Sequence, residues 1–354
     1  MIREAKKMEI SDIVEKLRNY DGPEIRLMEI CGSHTAAIAK YGIRSILSDK
    51  IKLISGPGCP VCVTPSSYVD RLIEIASKEG NKVASFGDLL RVPGSRSTLR
   101  EAQGQGAGVE MVYSPLDVIG LAEKEPETCF TFAAIGFETT APVFALLMDE
   151  ITKKNIKNIR LLTAIKTMPR VIEWLIDNGA KIDGFIAPGH VCAVTGSEIF
   201  EPIAKKHEIP FAVSGFSDKE LVIAIYGLLE MVKEKNYSVN NYYTSVVEHG
   251  KNAIADQMIN KYFEPCDAVW RGMGCVQGSG LVLRDEYREY DMGSLELVED
   301  NKMNAHCKCG EILMGLLESG DCPLFGKACT PQNPQGACMV SLEGSCYHKY
   351  LSGE

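Results

Sequence analysis

Long apolar runs and an excess of basic residues are both missing from this sequence. The most apolar window, residues 221–232, is too short to cross a bilayer. The net charge of −9 argues against non-specific binding to nucleic acid or to an anionic membrane. Residues 1–20 contain neither an apolar h-region nor a small-residue cleavage site, so we expect a short amphipathic helix there and no signal peptide. We therefore expect a cytoplasmic protein with no nucleic-acid or membrane partner.

Cysteine, by contrast, is abundant, with 13 residues in a chain of 354. In a reducing compartment these cysteines would not form a static disulfide framework, and their number is odd. Intracellular clusters of cysteine more often bind metal or carry out redox chemistry. The remaining composition, 45% apolar and 24% charged, is ordinary for a globular protein and allows two or three domains with a large core.

Short apolar runs alternate with amphipathic segments along most of the chain. Repeated strand–loop–helix units predict parallel sheets, and continuous apolar runs such as FTFAAI suit strands that are covered on both faces. Because the units are too many for one ordinary sheet, we predict an α/β protein with two such domains, residues 1–125 and 126–241. The predicted strands are 25–30, 51–55, 82–86, 110–113, 129–135, 160–164, 184–187 and 210–213. The predicted helices are 66–78, 115–124, 141–154, 169–178 and 218–233.

A third region begins near residue 242, where the pattern changes. Glycines crowd together in WRGMGCVQGSG, periodicity fades, and six cysteines follow between Cys307 and Cys346. A segment with so little apolar core usually needs a metal or disulfides for stability. Residues 242–354 are therefore predicted to form a third domain.

Unusual residues recur directly after five predicted strands, in the sequences CGSHT, GPGCPVC, GD, GFETT and PGH. In open α/β sheets, ligands bind beyond the carboxyl ends of the strands. Glycines at such positions allow the backbone to approach a ligand closely. Five polar or thiol-bearing loops at strand ends predict a binding site, because packing alone does not explain them.

Cys31 and His34 belong to the first of these loops. Cys31 precedes a predicted helix, and a thiol at a helix N-terminus has a lowered pKa, which favours the thiolate that binds iron or attacks an electrophile. His34 is a candidate base, hydrogen-bond partner or second ligand. The structural alternative is a buried cysteine with a capping histidine, and this loop taken alone favours that alternative.

Cys59 and Cys62 form a C-x-x-C pair in the second loop. This spacing permits either a reversible disulfide or two ligands for one metal. Structural zinc sites generally use a second such pair, and the sequence has none. The position of the pair on a loop between strand and helix therefore favours redox chemistry over a zinc site.

Glu138 and His190 are the candidates from the fourth and fifth loops. Glu138 opens a predicted helix, where threonine capping and an acid in the first turn are explained by helix stability alone. The functional alternative is a catalytic or partner-binding carboxylate. His190 follows Pro-Gly at a strand end and is either a structural or a functional histidine. Asp88 and Lys166 also lie at strand ends, and Cys192 is either a site thiol or a packing residue.

The C-terminal cysteines carry the strongest chemical signal. Four thiolates can hold a [4Fe–4S] cluster, and a proline beside a ligand is common in such loops. Zinc is the competing metal, because four-cysteine zinc sites are equally rich in loops, and spacing does not decide between the two. The four wider-spaced cysteines form a complete set, which leaves Cys307 and Cys309 as a nearby thiol pair available for redox chemistry. The four are Cys322, Cys329, Cys338 and Cys346.

Taken together, these motifs resemble one known family. CGSHTAAIAKYGIRSIL, ISGPGCPVCVTP, FGDLLRVPGS, GFETTAP, PGHV, WRG and the tail DCPLFGKACTPQNPQGACMVSLEGSC are similar to the motifs of HypD, a family of maturation factors for nickel–iron hydrogenases. The similarity extends from about residue 26 to 348. The combination of GPGCPVCV with the cysteine-rich tail is highly specific to that family.

The resemblance implies two Rossmann-like α/β domains and a C-terminal [4Fe–4S] domain. It implies that a small HypC-type chaperone and a HypE-type cyanide donor are partners while iron acquires cyanide and CO, forming the Fe(CN)2CO unit destined for the hydrogenase large subunit. Cys31 would ligate that iron, and Cys59 with Cys62 would be a redox-active dithiol. In the family, the surroundings of the cluster resemble those in ferredoxin:thioredoxin reductase, which implies electron transfer from the cluster to the thiols. The cluster ligands would be Cys322, Cys329, Cys338 and Cys346.

Two segments depart from the family pattern. Where the family often has S-A-H-K, residues 163–166 read TAIK, and where it has I-P-x-S-G, this chain reads CVQGSG, which adds Cys275. Neither change touches the cysteine motifs. We expect an assembly scaffold with redox activity rather than a conventional turnover enzyme. The alternatives are a cluster-dependent thiol–disulfide oxidoreductase and a binding module with structural zinc.

Overall fold

The computed structural model describes residues 8–297, 304 and 306–353, which form two β-sheets covered by helices. The strands are β1 (Ile25–Glu29), β2 (Ile51–Ser55), β3 (Asn81–Ser85), β4 (Val109–Met111), β5 (Cys129–Gly136), β6 (Ile159–Lys166), β7 (Gly184–Pro188), β8 (Phe211–Ser214), β9 (Val239–Asn241), β10 (Phe263–Trp270) and β11 (Gly274–Leu283). The helices are α1 (Ile10–Arg18), α2 (Gly32–Lys40), α3 (Pro60–Val63), α4 (Ser66–Ala76), α5 (Leu99–Gly104), α6 (Asp117–Lys124), α7 (Ala141–Lys153), α8 (Met168–Asp177), α9 (Gly189–Thr195), α10 (Glu201–His207), α11 (Asp218–Lys233), α12 (Ala253–Tyr262), α13 (Cys309–Leu313), α14 (Ala337–Val340) and α15 (Ser345–Ser352).

The first sheet has the strand order β2-β1-β7-β8-β9, and all neighbouring strands in it are parallel. Its register places Leu27 of β1 beside Leu53 of β2 and Gly184 of β7. The helices α1 and α11 pack together over one face, where Ile13 and Ile225 join the strand side chains in one core. The prediction of parallel strands covered by helices is confirmed for this sheet.

The second sheet has the strand order β10-β11-β6-β5-β3-β4. Its strands β3 to β6 are parallel, whereas β11 runs antiparallel to β6 and β10 runs antiparallel to β11. The glycine-rich WRGMGCVQGSG segment forms the hairpin turn and part of β11. Gly272 and Gly274 have φ angles of 72° and 81° at this turn, a conformation that favours glycine.

The predicted domain boundaries do not coincide with these sheets. Residue 126 lies between β4 and β5, which belong to the same sheet, and each sheet takes strands from both sides of that boundary. The chain crosses to the second sheet after β2, returns after β6, and crosses again after β9. Of the predicted third domain, residues 263–283 complete the second sheet, and the short helices α13 to α15 follow in the tail. Consecutive strands usually pair with each other, whereas each sheet here combines strands from separate parts of the sequence.

The predicted strands and helices are themselves confirmed, with ends within two residues of the predicted ones. The amphipathic helix predicted near the N-terminus is present as α1, while residues 1–7 lie outside the described residues. Within the described part of the chain, no helix is long and apolar enough to cross a membrane. A continuous core joins the two sheets to the tail, with Phe185 from the first sheet, Leu162 from the second and Cys338 from the tail.

Candidate functional site

The loops that follow β1 and β2 are in backbone contact, which places Cys31 beside the C-x-x-C loop. The Gly32 N–H donates a hydrogen bond to Gly58 O at 2.9 Å. A β-carbon on Gly58 would lie 2.5 Å from Cys31 Cα, so only glycine permits this approach. Because β1 and β2 are neighbouring parallel strands, their carboxyl ends meet at one edge of the sheet. The loops that carry Cys31 and Cys59 are therefore adjacent.

The Cys31 thiol is buried where α2 begins, and this burial decides its protonation. Burial is the main cause that raises the pKa of Cys31 to about 12; the Glu343 and Glu29 carboxylates add to it, and the backbone N–H groups of His34 and Ser33 only partly offset them. The prediction that the helix N-terminus lowers the pKa of Cys31 is therefore wrong. Desolvation and two nearby carboxylates outweigh the helix dipole in the protein without iron.

Glu29 is a site residue that sequence reasoning missed. It is fully buried, accepts the Cys31 N–H at 3.1 Å and also accepts the Thr35 hydroxyl. Burial raises the pKa of Glu29 to about 7, while the Thr35 and Ser55 hydroxyls lower it. A cavity of about 510 Å³ between the first sheet and the tail is lined in part by Thr35 and Ser55. The sequence signal that could have identified Glu29 is an acidic residue inside the otherwise apolar strand LMEI.

His34 and His190 come from separate loops and contact the same ring. The Phe216 ring centroid lies 4.7 Å from that of His34 and 4.0 Å from that of His190. His34 Nε2 faces the Ser214 and Gly215 carbonyl oxygens at 3.3 and 3.1 Å, so Nε2 carries the proton. Burial lowers the pKa of His34 to about 4, and that of the more exposed His190 is also lowered. His34 Nδ1 is thus an unprotonated acceptor, with no hydrogen-bond partner among the described residues.

Glu138 lies at the end of β5, and its carboxylate does not cap its own helix. Its Oε1 accepts the Met168 N–H of α8 at 2.7 Å, whereas Oε2 is buried with no partner in the described part of the chain. Burial raises the pKa of Glu138 to about 7. Burial, with smaller effects of the neighbouring Glu138 and Cys31, raises the pKa of the Cys192 thiol. Glu138, from the second sheet, and Cys31, from the first, therefore both act on Cys192.

Asp88 and Lys166, the remaining strand-end candidates, differ in their surroundings. Asp88 acts electrostatically on the tail carboxylate of Glu343 and raises its pKa, after the larger effect of burial. Lys166 is buried, donates to Val269 O at 2.7 Å and lies over the Trp270 ring, 5.3 Å from its centroid. Burial lowers the pKa of Lys166 to about 7. Lys166 thus contacts the β10–β11 hairpin through a carbonyl and an aromatic ring.

The Cys59–Cys62 pair lies against the cysteine-rich tail. The two residues are joined as a disulfide, with Cα atoms 5.2 Å apart, and α3, which contains Cys62, packs on α14, which contains Cys338. The tail also reaches the Cys31 loop, because α15 packs on α2 and Ser33 Oγ donates to Glu343 Oε1 at 2.9 Å. Three sulfur-bearing segments, separated widely in sequence, therefore meet in one place.

The tail thiols contact one another. Cys307 Sγ and Cys309 Sγ are 3.2 Å apart, and the neighbouring Cys309 and Cys346 thiols raise the pKa of Cys338. A β-carbon on Gly336 would lie 2.6 and 2.8 Å from the Cys309 and Cys307 sulfurs, so glycine makes room for both. Sequence reasoning left Cys309 outside the tail's ligand set, but the fold places it against two of the predicted ligands.

The predicted ligands Cys322 and Cys329 lie in the same tail. Both are buried; Cys329 Sγ accepts the Gln335 N–H at 3.3 Å, and burial raises the pKa of the Cys329 thiol. Among the described residues, no group of three or more His, Cys, Asp or Glu side chains is arranged to hold a metal ion. The donor chemistry nevertheless suits a cluster, because thiolates are its usual ligands and several thiols of the tail lie close together.

The fold and these contacts define a class: an α/β protein in which strand-end thiols meet a cysteine-rich tail. The family model for HypD, described as the hydrogenase formation hypA family, matches residues 6–352. The chain belongs to this family. The hydrogenase maturation factors HypD of Azotobacter vinelandii and Escherichia coli are each 37% identical to it, over 93% of this chain and 90% of theirs. That of Rhodobacter capsulatus is 36% identical, over 96% of this chain and 92% of its own.

Proposed function

We propose that this protein is an assembly scaffold in hydrogenase maturation that holds an iron ion at Cys31 while cyanide and CO are attached. The observation that carries the proposal is the meeting of the Cys31 loop, the Cys59–Cys62 pair and the cysteine-rich tail. A soft thiolate is suited to low-valent or cyanide-bound iron. Attaching and keeping such ligands requires reducing equivalents, for which neighbouring thiols are suited.

In this proposal Cys31 gives up its proton when iron arrives. Burial and nearby carboxylates keep the thiol protonated in the absence of metal, with a pKa of about 12. A metal ion replaces that proton, since a coordinating thiol is deprotonated. His34 Nδ1 is a buried, unprotonated acceptor on the same loop. His34, His190 and Glu138 are proposed to position ligands or protons around the iron substrate.

The tail is proposed to hold a [4Fe–4S] cluster, which supplies single electrons when bound. Cys59 and Cys62 store two electrons as a dithiol, and their contact with the tail supports transfer between the two sites. Because one thiolate does not complete the coordination of iron, we propose a HypC-type chaperone that supplies further ligands and a HypE-type cyanide donor. A cytoplasmic location fits thiols that must be reducible. The proposed cluster ligands are Cys322, Cys329, Cys338 and Cys346.

The substitution Cys31→Ala tests the iron site directly. In an anaerobic complex purified with the HypC-type partner, the infrared bands of iron-bound cyanide and CO should be lost, because the thiolate ligand is gone. Cys129→Ala, a partly buried cysteine at the start of β5, is the matched control and should keep them. Retained cyanide bands in the Cys31 variant would refute the assignment of Cys31. Their absence from the iron-loaded wild-type complex would refute the scaffold.

The placement of the Cys59–Cys62 pair against the tail also favours a second candidate, a cluster-dependent thiol–disulfide oxidoreductase. Such an enzyme would reduce a protein disulfide over many turnovers when supplied with an electron donor. A scaffold would oxidise one dithiol per chain and then stop. Counting the substrate disulfides that are reduced per chain separates the two. A broad visible absorption of the anaerobic protein, measured in the same sample, separates a cluster from zinc.

A further inference from the structure

The two sulfurs of the Cys59–Cys62 pair have different surroundings. Cys59 Sγ accepts the Cys62 N–H at 3.1 Å, and Ser341 Oγ lies 3.2 Å from the same sulfur. For Cys62 Sγ we find no hydrogen-bond partner within the described ranges. The pair is therefore asymmetric, with two potential donors directed at one sulfur.

The direction of the Ser341 hydroxyl follows from its neighbours. Ser341 is buried, and its oxygen accepts the Glu343 N–H at 3.1 Å. A disulfide sulfur carries no proton, so the only proton available between Ser341 Oγ and Cys59 Sγ belongs to the serine. The hydroxyl therefore donates to the sulfur while its own oxygen accepts from the backbone of the tail.

We propose that Ser341 is a positioning residue that makes Cys59, rather than Cys62, the sulfur that carries negative charge when the pair is reduced. In that step two electrons break the S–S bond, one proton binds Cys62, and Cys59 leaves as a thiolate. The electrons come from a dithiol or from an iron–sulfur cluster acting twice. Hydrogen bonds to an ionised acceptor are roughly twice as strong as neutral ones, so Ser341 stabilises the reduced form more than the disulfide.

The tail holds Ser341 in this place from both sides. On one side, α14 packs on α3, which follows Cys59. On the other side, the Glu343 carboxylate accepts the Ser33 hydroxyl, and a β-carbon on Gly32 would lie 2.8 Å from Glu343 Oε2. The short segment from Ser341 to Glu343 thus spans the distance between the redox pair and the Cys31 loop.

The inference rests on the proposed redox role of the pair, and the test is the reduction potential of the pair in Ser341→Ala. Full-length protein is equilibrated anaerobically with oxidised and reduced dithiothreitol, quenched with an alkylating agent and digested with trypsin. Cleavage after Lys52 and Arg71 releases one peptide whose only cysteines are Cys59 and Cys62, so mass spectrometry counts the reduced fraction. We expect the variant to favour the disulfide about tenfold more, a shift of about −30 mV for a two-electron couple.

Two further variants keep the test specific. Ser341→Thr retains the hydroxyl and should restore most of the wild-type potential. Ser85→Ala removes another buried hydroxyl, at the end of β3, and should leave the potential unchanged. Equal potentials in wild type and Ser341→Ala, or an equal shift in Ser85→Ala, would overturn the inference. A wild-type pair that never equilibrates with dithiothreitol would instead overturn the proposed redox function.

Discussion

Glu138 is buried at the end of β5, and only one of its carboxylate oxygens has a donor among the residues that the structure describes. Burial raises its pKa from 4.5 to about 7, so between these values the folded protein keeps a proton that the unfolded chain has released. The resulting stability is complete below about pH 4.5 and is lost as the pH rises through about 7. The pH dependence of the free energy of unfolding therefore reports on the burial of the Glu138 carboxyl.

The substitution Glu138→Gln tests this, because glutamine resembles the protonated acid. The variant should match wild type near about pH 4 and exceed it near about pH 8, by up to about 3 kcal/mol in the free energy of unfolding, since wild type must then bury a charge. Urea unfolding at both pH values measures the difference. Glu286→Gln on the exposed surface is the control and should show no such change. A pH-independent difference at Glu138 would show that its carboxyl titrates normally.

Gly58 packs so closely that the backbone of Cys31 occupies the space where a side chain on residue 58 would lie. Gly58→Ala forces two backbones apart and should lower the free energy of unfolding by about 1 to 3 kcal/mol. Gly120 lies in α6 with open space around it, so Gly120→Ala should stabilise the protein by about 0.5 to 1 kcal/mol. Denaturant titration of both variants measures the two changes in the free energy of unfolding. Equal effects would mean that the Cys31 and Gly58 loops are not packed together.

At the scale of elements, the tail consists of helices too short to be stable alone. α13 and α14 have five and four residues; α14 packs on α3 and α15, and α15 packs on α2. The sequence predicted a cysteine-dependent tail because apolar periodicity is missing there. It did not predict which thiols touch, because six cysteines joined by irregular loops allow many arrangements.

The choice of cluster ligands is testable by comparing Cys338→Ser with Cys307→Ser. If the predicted set is right, Cys338→Ser should reduce the iron content from about four atoms per chain to below about one and lower the melting temperature, because metal binding contributes folding energy. Cys307→Ser should retain the iron. Iron and sulfide analysis of anaerobic protein measures both. The opposite result would place Cys307 among the ligands and leave Cys338 to pair with Cys309, its neighbour in the structure.

At the scale of the whole molecule, Arg271 joins the β10–β11 hairpin of the second sheet to the segment that follows the Cys59–Cys62 pair. Its backbone N–H donates to Val63 O at 2.8 Å, Nε to Thr64 O at 2.6 Å and Nη2 to Pro93 O at 3.1 Å. Arg271 is buried, so these carbonyl oxygens depend on it rather than on water. The WRG motif therefore has a physical role in connecting segments that are distant in sequence.

Arg271→Leu should lower the free energy of unfolding by about 2 to 4 kcal/mol, because it leaves buried carbonyl oxygens without their charged donor. Arg284→Leu, at a half-exposed arginine just after the same hairpin whose side chain pairs, among the described residues, only with the exposed Glu286, should change it by less than about 0.5 kcal/mol. Urea unfolding of the two variants measures the contrast. Similar effects at both positions would show that the hairpin is not anchored through the Arg271 side chain.

The amino-acid sequence by itself determined the α/β class, the positions of the predicted strands and helices, and the residue types that the loops at the strand ends carry. These features depend on short-range periodicity and on residue types, which neighbouring residues specify. Only the tertiary structure decided which strands share a sheet, that Cys309 meets Cys338, and that the pKa of Cys31 is raised. Sheet pairing and desolvation depend on segments far apart in the chain, and no local pattern records which of those segments will meet.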